Sequence, residues 1–162
     1  MDEILEILEK DARMTPEEIA KLINKPVSMV REKIKQYEKN GVILKYKAVI
    51  NRELLREKLT NKVQALIEVK VIPQKDLGFD YLADRIYKFP EVVSCYLVSG
   101  TYDLLLVVEG PDLHTVANFV AEKLSSLANV RGTVTHFLLK KYKEDGDILK
   151  RSEKNRRIAI SY

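Results

Sequence analysis

Polar and charged side chains recur along one side of the segment spanning residues 28 to 41. At 100° per residue Val27, Val30, Ile34 and Tyr37 fall on one side, and a polar set falls on the opposite side. Side chains of that set could hydrogen-bond the edges of DNA bases, Gln36 to adenine and Glu32 to cytosine. The candidates for base edges are Ser28, Met29, Glu32, Lys33 and Gln36. The candidates for phosphates, which add affinity without sequence information, are Arg31, Lys35, Lys39, Lys45 and Lys47.

The same region is locally basic. Between Pro26 and Lys47 the chain has six cations and two anions, although a solvated helix or strand face is the common reading of such a run. The net charge of +4 is unevenly spread, with +2 over residues 1–60, −2 over residues 61–139 and +4 over residues 140–162. We therefore do not expect the middle of the chain to be a nucleic-acid surface.

A second helix is predicted to begin just upstream. Thr15 suits the N-cap, Pro16 suits the first helical position, and Glu18 can close a capping box with Thr15. The helix should end near Asn24, because Pro26 disfavours helical geometry in the residue before it. Its predicted inward side chains are Ile19, Ala20, Leu22 and Ile23.

A first helix is predicted at the start of the chain, where Ile4, Leu5, Ile7 and Leu8 provide an apolar side. The three helices together predict a winged-type helix-turn-helix, whose last helix enters the major groove of DNA. Gly41 suits the end of that helix, and residues 42–51 are rich in branched and aromatic side chains, which predicts a trailing strand. The first domain is thus expected to span residues 1–50, and the charged residues 51–61 to form a hinge.

The rest of the chain alternates between strand and helix patterns. Strands are predicted from Val63 to Pro73, over 92–98, over 104–109 and from Val130 to about Tyr142, and helices over 79–89 and after an Asp112 cap. This order predicts a ferredoxin-like βαββαβ domain over 62–142, so the fold class is α+β. The expected inward face of the second of these helices is Leu113, Val116, Ala117, Val120, Leu124 and Leu127.

One face of that predicted sheet is not covered by either of the two predicted helices. The run from Leu104 to Val108 is apolar on both sides, and Leu66 and Tyr96 break the alternation of their strands. An apolar face of this size predicts face-to-face dimerisation. The basic tail, residues 143–162, fits a disordered segment, an added strand or a DNA-touching arm.

Composition narrows the class of protein. Of 162 residues 46% are hydrophobic and 32% are charged, which is typical of small globular domains. No stretch approaches the roughly 18 apolar residues of a membrane span. A single cysteine, Cys95, can form no intrachain disulfide and is interpreted as a packing residue, so a cytoplasmic location is expected.

The layout resembles the Lrp/AsnC (feast/famine) transcription regulators over residues 1 to about 142. One departure is Pro26, which stands where the family usually has a small capping residue such as serine. The resemblance rests on the segments 4–8, 12–20, 30–43, 46–51 and 100–105 in their order and spacing.

The resemblance implies an effector, most simply an amino acid, bound between dimers, and assembly beyond a dimer, such as an octamer. In the family the turn after the second strand and a threonine-bearing last strand line the effector cleft, and Asp103 could hold an ammonium group. The residues implied are Gly100, Thr101, Tyr102, Asp103, Thr133 and Thr135.

Two other classes compete with a regulator. Some proteins similar to this family are tetrapyrrole decarboxylases, but His114 and His136 have no third ligand or carboxylate partner at useful spacing. We therefore expect no catalytic residue, no metal site and no cofactor. A stand-alone amino-acid-binding module is opposed by the cations on the predicted reading helix.

Overall fold

The computed structural model describes residues 2–51, 62–73 and 78–149. The chain divides into two compact units, residues 1–50 and 51–162. The first contains three helices, α1 (Glu3–Lys10), α2 (Pro16–Leu22) and α3 (Val27–Lys39). Among the described residues, no helix is long and apolar enough to cross a membrane.

Side chains at the helix starts satisfy backbone N–H groups that lack partners within the helix. The Asp2 carboxylate accepts from the Ile4 amide at 3.0 Å and so caps α1. The capping box predicted for α2 is confirmed, with Thr15 Oγ1 accepting from the Glu18 amide and Glu18 Oε2 accepting from the Thr15 amide. The α3 helix begins after Pro26 without a side-chain cap.

The three helices enclose a small apolar core. Ile19 and Val30 are fully buried at its centre, beside Ile4 and Leu8 of α1. The expectation that Leu22 points inward is wrong, because its side chain is 64% exposed at the end of α2. The helix ends at Leu22 rather than Asn24, and Asn24 takes a left-handed φ of 51° that reverses the chain before α3.

Gly41 ends α3 as predicted, in a left-handed conformation with φ 70°. The Val42 amide donates to the Tyr37 carbonyl at 2.8 Å and the Gly41 amide to the Glu38 carbonyl at 3.2 Å, which is a Schellman motif. The predicted strand over 42–51 is wrong, since the segment has no strand structure. A strand needs a neighbour to hydrogen-bond with, and no described strand pairs with this segment.

The second unit confirms the ferredoxin-like order. Its strands are β1 (Val63–Val71), β2 (Val92–Leu97), β3 (Leu104–Gly110) and β4 (Val130–Phe137), and its helices are α4 (Asp80–Ile86) and α5 (Leu113–Asn118). The antiparallel sheet has the strand order β2-β3-β1-β4, so β2 and β4 are its edges. Both α4 and the final strand are shorter than predicted.

Alternation along the central strands separates the two faces of the sheet. Ala65, Ile67 and Val69 of β1 are fully buried, and so are Leu106 and Val108 of β3. They pack with α4 and α5 in one core. The intervening residues form the opposite face of the sheet, called the open face below.

The helix after Asp112 is irregular in a way that the periodicity did not predict. Asp112 caps α5 through the Thr115 amide at 2.7 Å, but residues Phe119–Leu124 continue as a π-helix. The wider turn places the buried residues Phe119 and Leu124 five positions apart. Leu113 and Ala117 of α5 are exposed, so the expected inward face is wrong at these two positions.

A two-stranded hairpin follows β4, formed by β5 (Lys143–Glu144) and β6 (Asp147–Ile148). Asp145 and Gly146 take positive φ angles of 47° and 94°, as a two-residue hairpin turn requires. The Asn51 side chain donates to the Leu149 carbonyl at 2.8 Å, which ties this hairpin to the start of the second unit. Residues 150–162 of the basic tail and 52–61 of the predicted hinge lie outside the described residues.

Candidate DNA-binding surface and effector site

The outward side of α3 carries the polar set predicted to read DNA. It points away from the core because Val30 is fully buried on the opposite side of the helix, with Ile34 packed beside it. Lys45 and Lys47 are exposed in the segment that follows. The exposed residues of the outward side are Ser28, Glu32, Lys35, Gln36 and Lys39.

Two candidates for base edges lie on the flank of α3 instead. Met29 is half-buried and packs against the helical core. Lys33 donates to the Asp2 carboxylate at 2.6 Å, and this bond lowers the pKa of Asp2 and raises the pKa of Lys33. Tyr37 also bonds Asp2, and burial raises the pKa of its hydroxyl. A base contact by Lys33 would therefore have to break a pair that joins α3 to α1.

Arg31 lies on the other flank of α3 and forms an ion pair with Glu17 of α2. Both side chains are largely exposed, 63% for Arg31 and 44% for Glu17. The hydrogen bond from Arg31 lowers the pKa of Glu17, so this carboxylate is charged at neutral pH. The predicted phosphate ligand thus already has an anionic partner within the chain.

In the second unit the predicted effector turn connects β2 to β3, and Asp103 is its most constrained residue. Its Oδ2 atom accepts from the Val71 amide at 2.8 Å, and its Oδ1 atom accepts from Lys70 Nζ at 3.3 Å. The bond from the Val71 amide is the main cause that lowers the pKa of Asp103, with Lys70 contributing. The Asp103 amide donates to the Val69 carbonyl at 3.0 Å. The carboxylate therefore holds the turn against the end of β1.

The two predicted halves of the effector site lie on opposite sides of β1. Thr133 pairs with Val69 and Thr135 with Ile67, so both threonines lie on the helix-covered side of edge strand β4. Leu104, which follows the turn, pairs with Val69 from β3. Two strand spacings, about 10 Å, thus separate the turn from Thr133 within one chain. Gly100, Thr101 and Tyr102 complete the turn, where Gly100 and Thr101 are exposed.

An open cleft lies between α4 and edge strand β2. Its volume is about 370 Å³, and it contains none of the predicted effector residues. Burial raises the pKa of the Cys95 thiol on its wall, which agrees with a packing residue. The other lining residues are Phe79, Asp80, Ala83, Tyr87, Val92, Val93, Ser94, Leu97 and Leu104.

Sequence reasoning missed a histidine–carboxylate pair on the open face. His136 Nε2 lies 3.1 Å from Glu68 Oε1 across β4 and β1, so the expectation that His136 has no carboxylate partner is wrong. These residues are 68 positions apart, and they meet because Leu66 pairs with His136 and places Glu68 on the diagonal. The register between the strands was the missing information. Within the described residues, no cluster of three potential metal ligands occurs.

The open face also carries four of the apolar side chains from which dimerisation was predicted, Leu66, Tyr96, Leu105 and Val107, together with Val134, which was not part of that prediction. Tyr96 is 52% exposed and Val134 is 51% exposed, on β2 and β4 respectively. Leu66, Leu105 and Val107 lie between them, only partly covered. Apolar side chains therefore lie on this face of all four strands, and the Glu68–His136 pair lies among them.

Comparison with known proteins identifies the family. Residues 64–148 match the Lrp/AsnC ligand-binding domain, and residues 3–43 match a winged helix-turn-helix DNA-binding domain. The chain is 45% identical to the uncharacterised HTH-type transcriptional regulator YugG of Bacillus subtilis, over 98% of this chain and 95% of that protein. It is 29% identical to the proline dehydrogenase transcriptional activator of Rhizobium radiobacter, over 88% and 89% of the two chains.

A solved structure agrees with these matches. The transcriptional regulator from Neisseria meningitidis crystallised with L-methionine is 29% identical and has a TM-score of 0.67, over 88% of this chain and 89% of that one. The resemblance found in the sequence is confirmed, and the chain belongs to the Lrp/AsnC family of helix-turn-helix transcriptional regulators.

Proposed function

We propose that this regulator binds double-stranded DNA through the outward side of α3, as a homodimer or larger assembly that works in the cytoplasm. The observation that carries the proposal is the exposed set on α3 around Lys35 and Gln36, held outward by the buried Val30. Two such helices related by a two-fold axis would read half-sites one helical turn, or a multiple, apart.

A substitution that removes one positive charge tests whether the outward side of α3 contacts DNA. Lys35 makes no ion pair within the described residues, so Lys35→Ala should weaken binding to all DNA sequences alike. The slope of log K against log salt should flatten by roughly 0.9, the share of one phosphate contact. The matched control is Lys88→Ala, which removes an exposed cation from the second unit and should leave both affinity and slope unchanged. An unchanged slope for Lys35→Ala would remove this residue from the surface.

We propose further that the open sheet face is the dimer interface. Val134→Asp places a carboxylate beside Glu68, its partner on β1, and would bury both charges at the interface. The side chain is half-exposed in the single chain, so the variant should fold and yet scatter light as a smaller species. Leu113→Asp on α5, at 55% exposure, is the control that should keep the wild-type mass. The same measurement distinguishes a dimer from a ring of dimers such as an octamer.

The effector is proposed to be an amino acid that binds where the turn of residues 100–103 meets a neighbouring dimer. The methionine bound to the Neisseria meningitidis regulator supports this class of ligand. Because Thr133 lies across β1 from the turn, one ligand would reach both regions most directly between two chains. Asp103 Oδ1 faces only Lys70 among the described residues, and an ammonium group could take that position without breaking the bond to Val71.

Thermal shift with the twenty amino acids identifies the effector. A ligand at one hundred times its dissociation constant adds roughly 2.7 kcal/mol of stability. Asp103→Asn should abolish that gain because it removes the charge while keeping an acceptor for the Val71 amide. A gain that survives in this variant would move the effector away from the turn, and variants lining the α4–β2 cleft would then be tested.

We propose regulation rather than catalysis as the activity. The His136–Glu68 pair is the arrangement closest to an acid–base dyad that we find in the described residues. It lies on the exposed open face, outside the α4–β2 cleft, and the proposed dimer would cover it. The tetrapyrrole decarboxylase alternative predicts an absorbance change when the protein is mixed with a tetrapyrrole, and the regulator predicts none.

A further inference from the structure

Two cations of α3 lie on its flanks and pair with acidic residues of the other helices. Counted at 100° per residue from the buried Val30, Arg31 lies toward α2 and Lys33 toward α1. Asp2 binds Lys33 and also caps α1, so that pair is part of the scaffold. Glu17 lies in the first turn of α2, but Thr15 and Glu18 form the capping box of that helix, so the Arg31–Glu17 pair does not include the residue that caps it.

The position of Arg31 makes it available to a DNA backbone. Its side chain is exposed and borders the outward side of α3, next to Ser28 and Lys35. A guanidinium presents its N–H donors in a planar fork that binds either one carboxylate or one phosphate well. Glu17 Oε1 accepts from one nitrogen of that fork, Nη2 of Arg31, and the negative charge of Glu17 would also repel a phosphate placed beside it.

We propose that Glu17 competes with DNA phosphate for Arg31 and so weakens the sequence-independent part of DNA binding. The inference rests on the proposed DNA-binding function and adds to it one residue of α2 outside the reading set. Binding of DNA exchanges a carboxylate for a phosphate on Arg31, so the contribution of Arg31 is the difference between the two pairs. An exposed ion pair is easily exchanged, because water and salt already screen most of its attraction.

Glu17→Gln is the direct test, measured with a labelled duplex of mixed sequence at several salt concentrations. The amide keeps the size of the side chain and removes its charge. We expect DNA affinity to rise about two- to five-fold at low salt, the range for one exposed ion pair. The slope of log K against log salt should steepen by up to about 0.9, because Arg31 becomes a full phosphate ligand.

Removal of any negative charge near DNA would raise affinity even without competition for Arg31. The test is therefore a double-mutant cycle, in which Glu17→Gln is also measured in the Arg31→Ala background. Competition predicts that the gain from Glu17→Gln largely disappears in the Arg31→Ala background. Glu32→Gln, on the outward side of α3, is the control whose effect should be the same with and without Arg31. Thermal melts of each variant check that the helical unit remains folded.

The outcomes separate the inference from the proposed function. Weaker binding by Glu17→Gln would show that Glu17 orients Arg31 for DNA, and an equal gain in both backgrounds would show a general charge effect. Either result overturns the inference and leaves DNA binding intact. If neither the wild type nor any variant binds DNA, the proposed function fails together with the inference.

Discussion

Asp103 allows a sharp test of the second unit, because its carboxylate has a structural bond and a predicted ligand role. In Asp103→Ala the Val71 amide and Lys70 both lose their acceptor. A hydrogen bond to a charged group contributes about 1.5–3 kcal/mol, and the lower end applies here because the side chain is 19% exposed. For a domain of this size, 1.5 kcal/mol lowers the melting temperature by about 6–12 °C.

The assay should report on the affected amide as well as on the whole unit. Hydrogen exchange at the Val71 amide should accelerate in Asp103→Ala and stay slow in Asp103→Asn, whose carbonyl oxygen still accepts. Lys70→Gln removes only the exposed cation and should change stability little. Unchanged Val71 exchange and melting temperature in Asp103→Ala would refute the structural role that we assign to this carboxylate.

The same bond makes stability depend on pH in a defined direction. The pKa of Asp103 in the folded chain lies below that of an unfolded aspartate, about 3.9. Its stabilisation is therefore fully present above that value, and it is lost as pH falls through the lower folded pKa. The difference in unfolding free energy between wild type and Asp103→Asn should shrink in acid; a difference that stayed constant would contradict this linkage.

Three further predictions concern local packing and capping. Thr15→Ala should destabilise the helical unit by about 1 kcal/mol in chemical denaturation, because it removes the hydroxyl that accepts from the Glu18 amide, and an unchanged midpoint would count against this role. Gly110→Ala should cost about 1–3 kcal/mol, since the new Cβ would lie 2.9 Å from Val116 Cγ2, and this cost should be smaller when it is measured in the Val116→Ala background if that clash is the cause. Cys95 should react with iodoacetamide more slowly than a free cysteine, because partial burial raises the pKa of its thiol, and a rate equal to that of the unfolded chain would contradict its half-buried position.

The fold was predictable from the sequence where the pattern of a segment depends on one packed face or on residues close to each other in the chain. Alternation in β1 marked Ala65, Ile67 and Val69 correctly, because a strand covered by helices on one side buries every second residue. The capping box of α2 depends only on residues three apart. The strand predicted over 42–51 failed for the opposite reason, because branched residues favour a strand only where a partner strand exists.

The candidate surface was predictable in part for the same reason. Helical periodicity identified most of the residues of α3 that face outward, since Val30 fixes the rotation of the helix, but Met29 packs against the core instead. Periodicity could not show that Glu17 meets Arg31 or that Asp2 meets Lys33, because these pairs depend on how α1 and α2 pack against α3. The His136–Glu68 pair depends on strand register in the same way.

Arg31 and Asp103 follow one physical rule in different parts of the chain. For each of these charged groups we propose an external partner, and each already pairs with an opposite charge, Glu17 and Lys70 respectively. Both groups are therefore already in ion pairs before a partner binds, and binding exchanges one ion pair for another. The free energy gained by binding is the difference between the two pairs, which is small for one exposed contact. Affinity must then come from several such exchanges made together, as two recognition helices on one DNA duplex would provide.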